Sequence, residues 1–323
     1  MSSEYHWAFI GAGTLGAKVA KEITKSGRHE IASVYVRNPE KRAAFARQYS
    51  ALAAKTPEDA ISAPGVDAVY IVTPHTTYYD YARLALELSK PVLCEKPVST
   101  DAEKVRALIR LSREKGLYFA EAMWSWFSPV AQKMKQWYEA GEYGEIIRFS
   151  MNYHMKSINY APRVSDPKLA GGALLDIGVY PITYAWRLLG RPEKVVCTGT
   201  LKGGIDTDEE ITLHYPQGKK VEISTSILDF KGLERLTLEG DKAKTVLRFF
   251  HGANKVTLRR KGAKNETFRG SGSMLNEFDL AAGEIREGLT ESRYVPHEAT
   301  LGVMELMDEC RRQMGLVYPF EKE

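Results

Sequence analysis

The sequence predicts an α/β chain of two domains. The first is a Rossmann-type, doubly wound parallel sheet over residues 1–121; the second is an α+β domain with an open antiparallel sheet over residues 122–323. Three observations carry this reading. The first third alternates short apolar runs with amphipathic helical patterns, and a full G-x-G-x-x-G stands at the first strand-to-helix turn. Beyond residue 122 the alternation gives way to strand-like runs separated by turn residues. A length of 323 residues, 44% hydrophobic and 27% charged, suits two domains with a core each.

The elements follow in order. Residues 6–10 read as a strand, 14–26 as a helix ended by Gly27, 30–36 as a second strand and 39–49 as a second helix. The rhythm continues through strands at 68–72, 91–94 and 117–121, with helices at 78–89 and 101–115 between them, which is the pattern of parallel crossovers. The second domain opens with a helix at 129–140, a strand at 145–155 and a helix at 172–189. Six runs then suit antiparallel strands: 195–201, 210–215, 220–228, 234–239, 245–250 and 255–259. Turn signals such as Pro216-Gln217-Gly218 and Glu239-Gly240-Asp241 sit between them. Helices at 274–287 and 298–314 complete the second domain.

Charge and cysteine usage narrow the function. Lys plus Arg at 45 against Asp plus Glu at 41 leaves +4, too small and too evenly spread for a nucleic-acid footprint. Any anionic partner is expected to be small and locally bound. No stretch has the length of a membrane span and the first residues carry no signal-peptide pattern, so the expected location is cytoplasmic. Cys94, Cys197 and Cys310 form no CxxC pair, which supports neither a disulfide framework nor a thiolate metal site. No metal is expected, and redox chemistry requires a bound cofactor.

Gly11-Ala12-Gly13-Thr14-Leu15-Gly16 supplies the place for one. Gly11 allows the tight turn, Gly13 lets the backbone approach a pyrophosphate, and Gly16 permits close packing of helix on strand. The helix opening at Thr14 and Leu15 offers unpaired N–H groups and a positive dipole. An acidic residue at the end of the second strand would grip the ribose hydroxyls of NAD. Here the strand ends Tyr35-Val36-Arg37-Asn38, with no carboxylate to repel a 2′-phosphate and with Arg37 able to fork onto it; Arg42 adds charge one turn later. The expected cofactor is therefore NADP, with NAD still possible.

A second motif, Cys94-Glu95-Lys96-Pro97-Val98, lies at the C-terminal end of a predicted parallel strand, where open α/β sheets place ligands. Pro97 biases Lys96 toward an extended conformation that presents the amine at the crevice. A third segment, Gly171-Gly172-Ala173-Leu174-Leu175-Asp176-Ile177-Gly178-Val179-Tyr180-Pro181, puts Asp176 and Tyr180 four residues apart, on one face of a helix. With these residues, in this order over nearly the whole chain, the sequence resembles the glucose–fructose oxidoreductase, inositol dehydrogenase and rhizopine-catabolism (Gfo/Idh/MocA) family. Glu121-Ala122-Met123-Trp124 and the Asp176-x-Gly178-x-Tyr180 helix look most like the branch containing dimeric dihydrodiol dehydrogenases and NADP-dependent D-xylose dehydrogenases. That branch has tyrosine where many inositol dehydrogenases carry histidine. One departure stands out: Ser125-Trp126 follows Trp124 where related sequences often have Thr-Arg, removing a substrate-facing cation.

The resemblance implies that Lys96, Asp176 and Tyr180 are the catalytic set. It also implies that Thr73, Pro74, His75, Glu95, Lys96 and Pro97 line the nicotinamide half of the cofactor. The chemistry agrees. Oxidising a secondary alcohol or hemiacetal needs a proton acceptor as well as a hydride acceptor, and a free tyrosine is protonated at neutral pH because its pKa is about 10. A nearby ammonium favours the phenolate, which makes Tyr180 the expected acid/base, Lys96 its electrostatic partner across the domain cleft and Asp176 the orienting group; in a competing assignment Lys96 itself carries the proton. Without the family, Tyr180 reads equally well as a core aromatic and Asp176 as a cap.

Trp124 and Trp126 are candidate substrate contacts, an apolar wall suited to a sugar's C–H face or a cyclic diol, although packing accounts for at least one of Trp124, Trp126 and Phe127. Tyr153, His154, Arg148 and Arg163 are left outside the expected site. The expected function is NADP-dependent hydride transfer to or from a sugar or cyclic diol of the D-xylose or trans-dihydrodiol type. The alternatives are an inositol or keto-sugar dehydrogenase, or a non-catalytic NADP sensor, against which the joint presence of Lys96, Asp176 and Tyr180 argues. The expected partners are a small-molecule substrate and a second copy of the chain. Thr200, Thr212, Ser224 and Thr225, mixed with Ile, Leu and Val, suit a face-to-face contact through the second-domain sheet.

Overall fold

The computed structural model describes residues 4–159, 162–231 and 233–322. The chain forms two compact units. One comprises the chain up to Ser99 with Glu103–Met123 and Met274–Thr300; the other comprises Thr100–Ala102, Trp124–Ser273 and Leu301 onward.

In the first unit six strands, β1 (Tyr5–Ile10), β2 (His29–Tyr35), β3 (Leu52–Ala53), β4 (Ala68–Ile71), β5 (Val92–Glu95) and β6 (Phe119–Ala122), form one sheet in the order β3-β2-β1-β4-β5-β6, all parallel. The order reverses direction at β1/β4, the switch point at which such sheets bind ligands beyond their strand ends. Helices α1 (Thr14–Lys25), α2 (Pro39–Tyr49), α3 (Pro57–Ile61), α4 (Tyr78–Glu87) and α5 (Ala102–Lys115) make the crossovers. The central strands are buried on both faces, so β4 and β5 read as continuous apolar runs instead of alternating ones.

The second unit begins with α6 (Pro129–Glu139), β7 (Ile146–His154) and α7 (Pro162–Ser165). A π-helical turn at Leu174–Gly178 then runs into α8 (Val179–Leu189). Seven more strands follow: β8 (Lys194–Lys202), β9 (Ile205–His214), β10 (Lys220–Ser226), β11 (Glu234–Gly240), β12 (Ala243–Arg248), β13 (Lys255–Arg260) and β14 (Glu266–Arg269). They form an eight-stranded sheet with β7, in the order β14-β13-β12-β11-β7-β10-β9-β8. The sheet is antiparallel except at its centre, where β10 lies parallel to β7. That exception follows from the helix between them: α8 carries the chain back over the sheet and covers the face bearing Phe149, Met151, Tyr153, Val221 and Ile223.

The last helices are α9 (Leu275–Arg286) and α10 (His297–Met314). Although α9 reads in the sequence as part of the second domain, it belongs to the first unit. The Phe278 ring meets Trp7 and Tyr70 at 4.9 Å each, and Asp279 accepts from Arg28 at 2.8 Å and His29 at 3.0 Å. Hydrophobic periodicity shows that a helix has an apolar face but not which sheet that face covers.

Two further differences have local causes. β9 starts five residues before the expected 210–215, because Asp206 and Glu209, which look like turn residues, are buried within the strand. Of the four hydroxyl residues expected on one sheet face, Thr225 turns inward and donates to Glu209. Thr212 and Ser224 lie on the face opposite the helices, among Arg148, Ser150, Asn152, Glu210, Glu222 and Arg235.

Candidate active site

The three glycines of the first turn do different physical work. Gly11 has φ +110°, and a Cβ there would stand 2.4 Å from the Val72 carbonyl oxygen, so no other residue fits. A Cβ on Gly16 would press on Val72 and on the Gly11 backbone at 3.1–3.2 Å, which is the close approach of α1 to the sheet. Gly13 meets no protein atom within 4 Å of its Cβ position. Nothing among the described residues requires that glycine, yet it stands at the N-cap of α1, with no side-chain cap and no acid in the first turn. The helix therefore begins with unclaimed N–H groups and an uncompensated positive end. This is a cradle that a side chain would fill, and it fits a pyrophosphate.

The end of β2 fits the same ligand. Arg37 is exposed beside Tyr81 and makes no hydrogen bond or ion pair among the described residues. Asn38 caps α2, its Oδ1 accepting from the Lys41 N–H at 2.7 Å, and Arg42 donates to the Val36 carbonyl at 3.2 Å. Arg37 is thus unclaimed by the fold among the described residues, while Asn38 and Arg42 hold the loop.

After β4, Thr73 accepts a hydrogen bond from Thr77 at 2.8 Å, and Thr77 also donates to the Pro74 carbonyl at 2.9 Å, fixing the short turn on which His75 is buried. β5 ends at Glu95, and Lys96 and Pro97 follow, joined by a cis peptide. Lys96 is only 8% exposed, in company that is unusually acidic. Glu95 is buried and accepts from the Tyr70 hydroxyl at 2.6 Å. Glu121, also buried, accepts from the Val98 N–H and the Thr300 hydroxyl at 3.2 Å each. Burial pushes the Glu121 carboxyl up to about 7, against the pull of these two donors and of the Lys96 ammonium. Glu277 on α9 is fully buried with no hydrogen bond to either oxygen among the described residues, and burial beside Glu95 pushes it well above the carboxylate range.

In the second unit the Gly171-Gly172 turn sets up the helix that carries Asp176 and Tyr180. Gly172 has φ +126°, and its Cβ position falls 2.0 Å from Asp206 Oδ1, so only glycine lets Asp206 reach in and cap the Leu174 N–H at 2.6 Å. The turn that follows is π-helical, not α-helical, so Asp176 lies in the π turn and Tyr180 in the first turn of α8.

Asp176, 3% exposed, pairs with Arg163 at 2.8 Å. The Tyr180 hydroxyl oxygen accepts the Trp124 indole N–H at 3.0 Å. An indole can only donate, so this bond favours the phenolate over the phenol. Of the two candidate tryptophans, Trp124 therefore touches the acid/base candidate. Trp126 is fully buried, edge-on to Tyr184 at 5.0 Å with the Arg187 guanidinium over its ring, and has no surface to offer a substrate.

Sequence reasoning left out Arg163, Tyr153 and, entirely, His251 and Glu234. The Tyr153 ring lies 5.8 Å from that of Tyr180 and stacks on His251 at 5.3 Å; His251 lies 5.8 Å from Tyr180 and 5.2 Å from Trp124. Glu234 accepts from the His251 backbone at 2.6 Å and from its Nδ1 at 2.5 Å. A histidine facing a buried acid from seventeen residues away leaves no local signature; only the register of β11 on β12 brings the two together.

Comparison with known proteins identifies the family of each half of the chain. Residues 5–122 match the model of an oxidoreductase family with an NAD-binding Rossmann fold, and residues 131–246 match that of the GFO/IDH/MocA C-terminal domain. The chain is 28% identical to a D-xylose 1-dehydrogenase (NADP⁺) of Hypocrea jecorina, over 97% of this chain and 93% of that one. It is 26% identical to the trans-1,2-dihydrobenzene-1,2-diol dehydrogenase of Mus musculus, over 98% of each. Among solved structures, a 3-ketoreductase from Actinomadura kijaniata, in complex with NADP and TDP-benzene, superposes with a TM-score of 0.84 at 20% identity, covering 97% of this chain and 98% of that one.

Proposed function

The chain belongs to the GFO/IDH/MocA oxidoreductase family, and we propose that it is an NADP-dependent enzyme that interconverts a secondary alcohol or hemiacetal of a sugar or cyclic diol with the corresponding carbonyl. The observation that carries the reading is the Trp124-to-Tyr180 hydrogen bond, which prepares one buried phenol oxygen to give up its proton.

NADP, when bound, supplies the hydride acceptor or donor. The N–H groups at the start of α1, with Gly11, Gly13, Thr14, Leu15 and Gly16, would hold its pyrophosphate. Arg37, Asn38 and Arg42 would hold its 2′-phosphate, and Thr73, Pro74, His75, Glu95, Lys96 and Pro97 its nicotinamide half. Tyr180 takes the hydroxyl proton at its phenol oxygen during oxidation and returns it during reduction. Lys96 supplies positive charge to that proton transfer, and Asp176, locked by Arg163, accepts a hydrogen bond from a substrate hydroxyl.

We further propose that the open face of the second sheet, where Arg148, Arg235 and Lys244 stand among Glu210 and Glu222, is covered by a second copy of the chain, and that the protein works in the cytoplasm. No helix among the described residues is long and apolar enough to cross a membrane. The test is to mix the protein with NADP and a panel of aldoses and cyclic diols and follow the absorbance of the reduced nicotinamide. Turnover that Tyr180→Phe abolishes supports the reading. Tight NADP binding with no turnover on any member replaces it with the sensor.

A further inference from the structure

The Glu234–His251 pair is unexplained by the proton transfer assigned to Tyr180. Glu234 opens β11 and is 4% exposed. The hairpin continues past β12 with Phe249 N–H donating to the Glu234 carbonyl at 3.0 Å. Phe249 then takes a left-handed φ of +52° and the chain folds back, bringing His251 over the strand's start. Both carboxylate oxygens of Glu234 are spent on this one residue, one on its backbone N–H and one on its ring. Fixing the loop needs only the backbone bond. A buried carboxylate is costly, and the ring bond is the arrangement that orients an imidazole.

That bond decides the chemistry of the ring. A carboxylate only accepts, so Nδ1 carries a proton and donates it to Glu234, and Nε2 is the end left over. Nε2 has no protein partner among the described residues, and the His251 side chain is 29% exposed. The ring is held by stacking on Tyr153 and by the edge of Trp124, beside Tyr180. The titratable groups facing it are Glu234 from β11, Tyr153 from β7 and Tyr180 from α8. Burial, with Glu234 and Asp176 nearby, drives the Tyr153 phenol far upward, so Tyr153 stays neutral. An oriented imidazole nitrogen, open to solvent and next to the phenol that handles one hydroxyl, is a reader for a second hydroxyl.

Resting on the function proposed above, we infer that His251, aimed by Glu234, hydrogen-bonds through Nε2 to the hydroxyl adjacent to the carbon being oxidised, which makes the enzyme selective for vicinal diols and polyols over isolated secondary alcohols. With Nδ1 donating to Glu234, Nε2 is an acceptor for that hydroxyl's proton.

The experiment compares kcat/KM for a cyclic vicinal diol with that for its monohydroxy analogue, in the wild-type protein, His251→Phe and His251→Ala. Wild type is expected to prefer the diol by tenfold or more. His251→Phe should lose that preference, its kcat/KM falling at least tenfold further on the diol than on the monohydroxy compound. His251→Ala should lose it too and regain at least part of it when imidazole is added, a rescue that a packing role would not give. An unchanged preference in His251→Phe overturns the inference, as does an equal loss on both substrates without imidazole rescue in His251→Ala. If His251→Phe does not fold, the alanine variant and its rescue decide alone. Absence of turnover by wild type on every substrate overturns the oxidoreductase reading itself, and with it the selectivity that rests on it.

Discussion

The two units prepare for ligands in different ways. From Gly11 to Gly16 the first unit works with backbone: a positive φ, a close approach to Val72, and a helix start left without a cap. Around the Tyr180 hydroxyl the second unit works with side chains drawn from separate stretches, Trp124 after β6, Tyr153 on β7 and His251 beyond β12. A backbone cradle recognises what every dinucleotide shares. A side-chain cluster can be changed one residue at a time, which is where substrate choice in such a molecule resides.

The sharpest way to break this contrast is Tyr180→Phe. It removes one oxygen and leaves the ring packed against Tyr153, so NADP affinity should hold and stability should fall by no more than the ~1–3 kcal/mol of a Trp124 N–H left without its acceptor, while kcat falls by roughly 10²–10⁴, the usual worth of a general acid/base. A variant that turns over within about tenfold of wild type, at full cofactor occupancy, moves the proton to Lys96, since tenfold is only about 1.4 kcal/mol of barrier.

The glycines provide the matching test in the first unit. Gly11→Ala meets the Val72 carbonyl at a backbone angle alanine avoids, and should cost roughly 2–5 kcal/mol of stability, read as a lowered urea midpoint. Gly13→Ala meets nothing. Its stability should change by less than about 1 kcal/mol, while NADP affinity measured by calorimetry drops about tenfold or more. Equal loss of stability in both variants would mean that Gly13 serves the fold and not a ligand.

The acidic surroundings of Lys96 give a pH signature. Burial raises the Glu121 carboxyl from 4.5 to about 7, so between those values the folded chain holds a proton that the unfolded chain releases. This contribution to stability is complete below about pH 4.5 and is lost as pH rises through about 7, on the order of 3 kcal/mol in all. Urea midpoints of the wild type should therefore fall between pH 5 and 8, and Glu121→Gln should flatten that slope. A slope unchanged in Glu121→Gln would assign it to other buried acids, Glu277 first among them.

These tests fall where the sequence was and was not informative. The βαβ rhythm, the glycine loop and the place of Lys96 after β5 were legible because each depends on residues close in sequence and on backbone rules that glycine, proline and periodicity report directly. The Asp176–Tyr180 helix was legible as a motif but not in its setting: it opens with a π turn, and the Leu174 N–H of that turn is capped by Asp206, thirty-two residues away, which nothing local announces. The Glu234–His251 pair was invisible because its two members are ordinary until strand register joins them. The parentage of α9 was invisible too, because two apolar sheets compete for one amphipathic helix and the packing of Phe278 on Trp7 decides.

Arg37→Glu tests the cofactor site at an exposed charged side chain. Replacing a free cation by an anion should lower NADP affinity by about 10- to 100-fold, in line with the ~1.5–3 kcal/mol of a charge-assisted hydrogen bond, and should leave NAD affinity nearly unchanged. Equal loss for both cofactors would remove the 2′-phosphate from Arg37.

The smallest effect expected is the most specific to the second unit. Trp124→Phe keeps an aromatic ring against His251 and deletes only the N–H that reaches Tyr180. A single hydrogen bond of this kind is worth about 0.5–1.5 kcal/mol net, so stability should barely move. The same bond is made more strongly by the phenolate than by the phenol, so its loss falls on the state in which Tyr180 has released its proton. The limb of the kcat profile that reports this ionisation should shift to higher pH, and kcat at neutral pH should fall by about tenfold or less. If Trp124→Phe instead raises KM with an unmoved pH profile, the indole is a wall for the substrate and not a partner of the phenol.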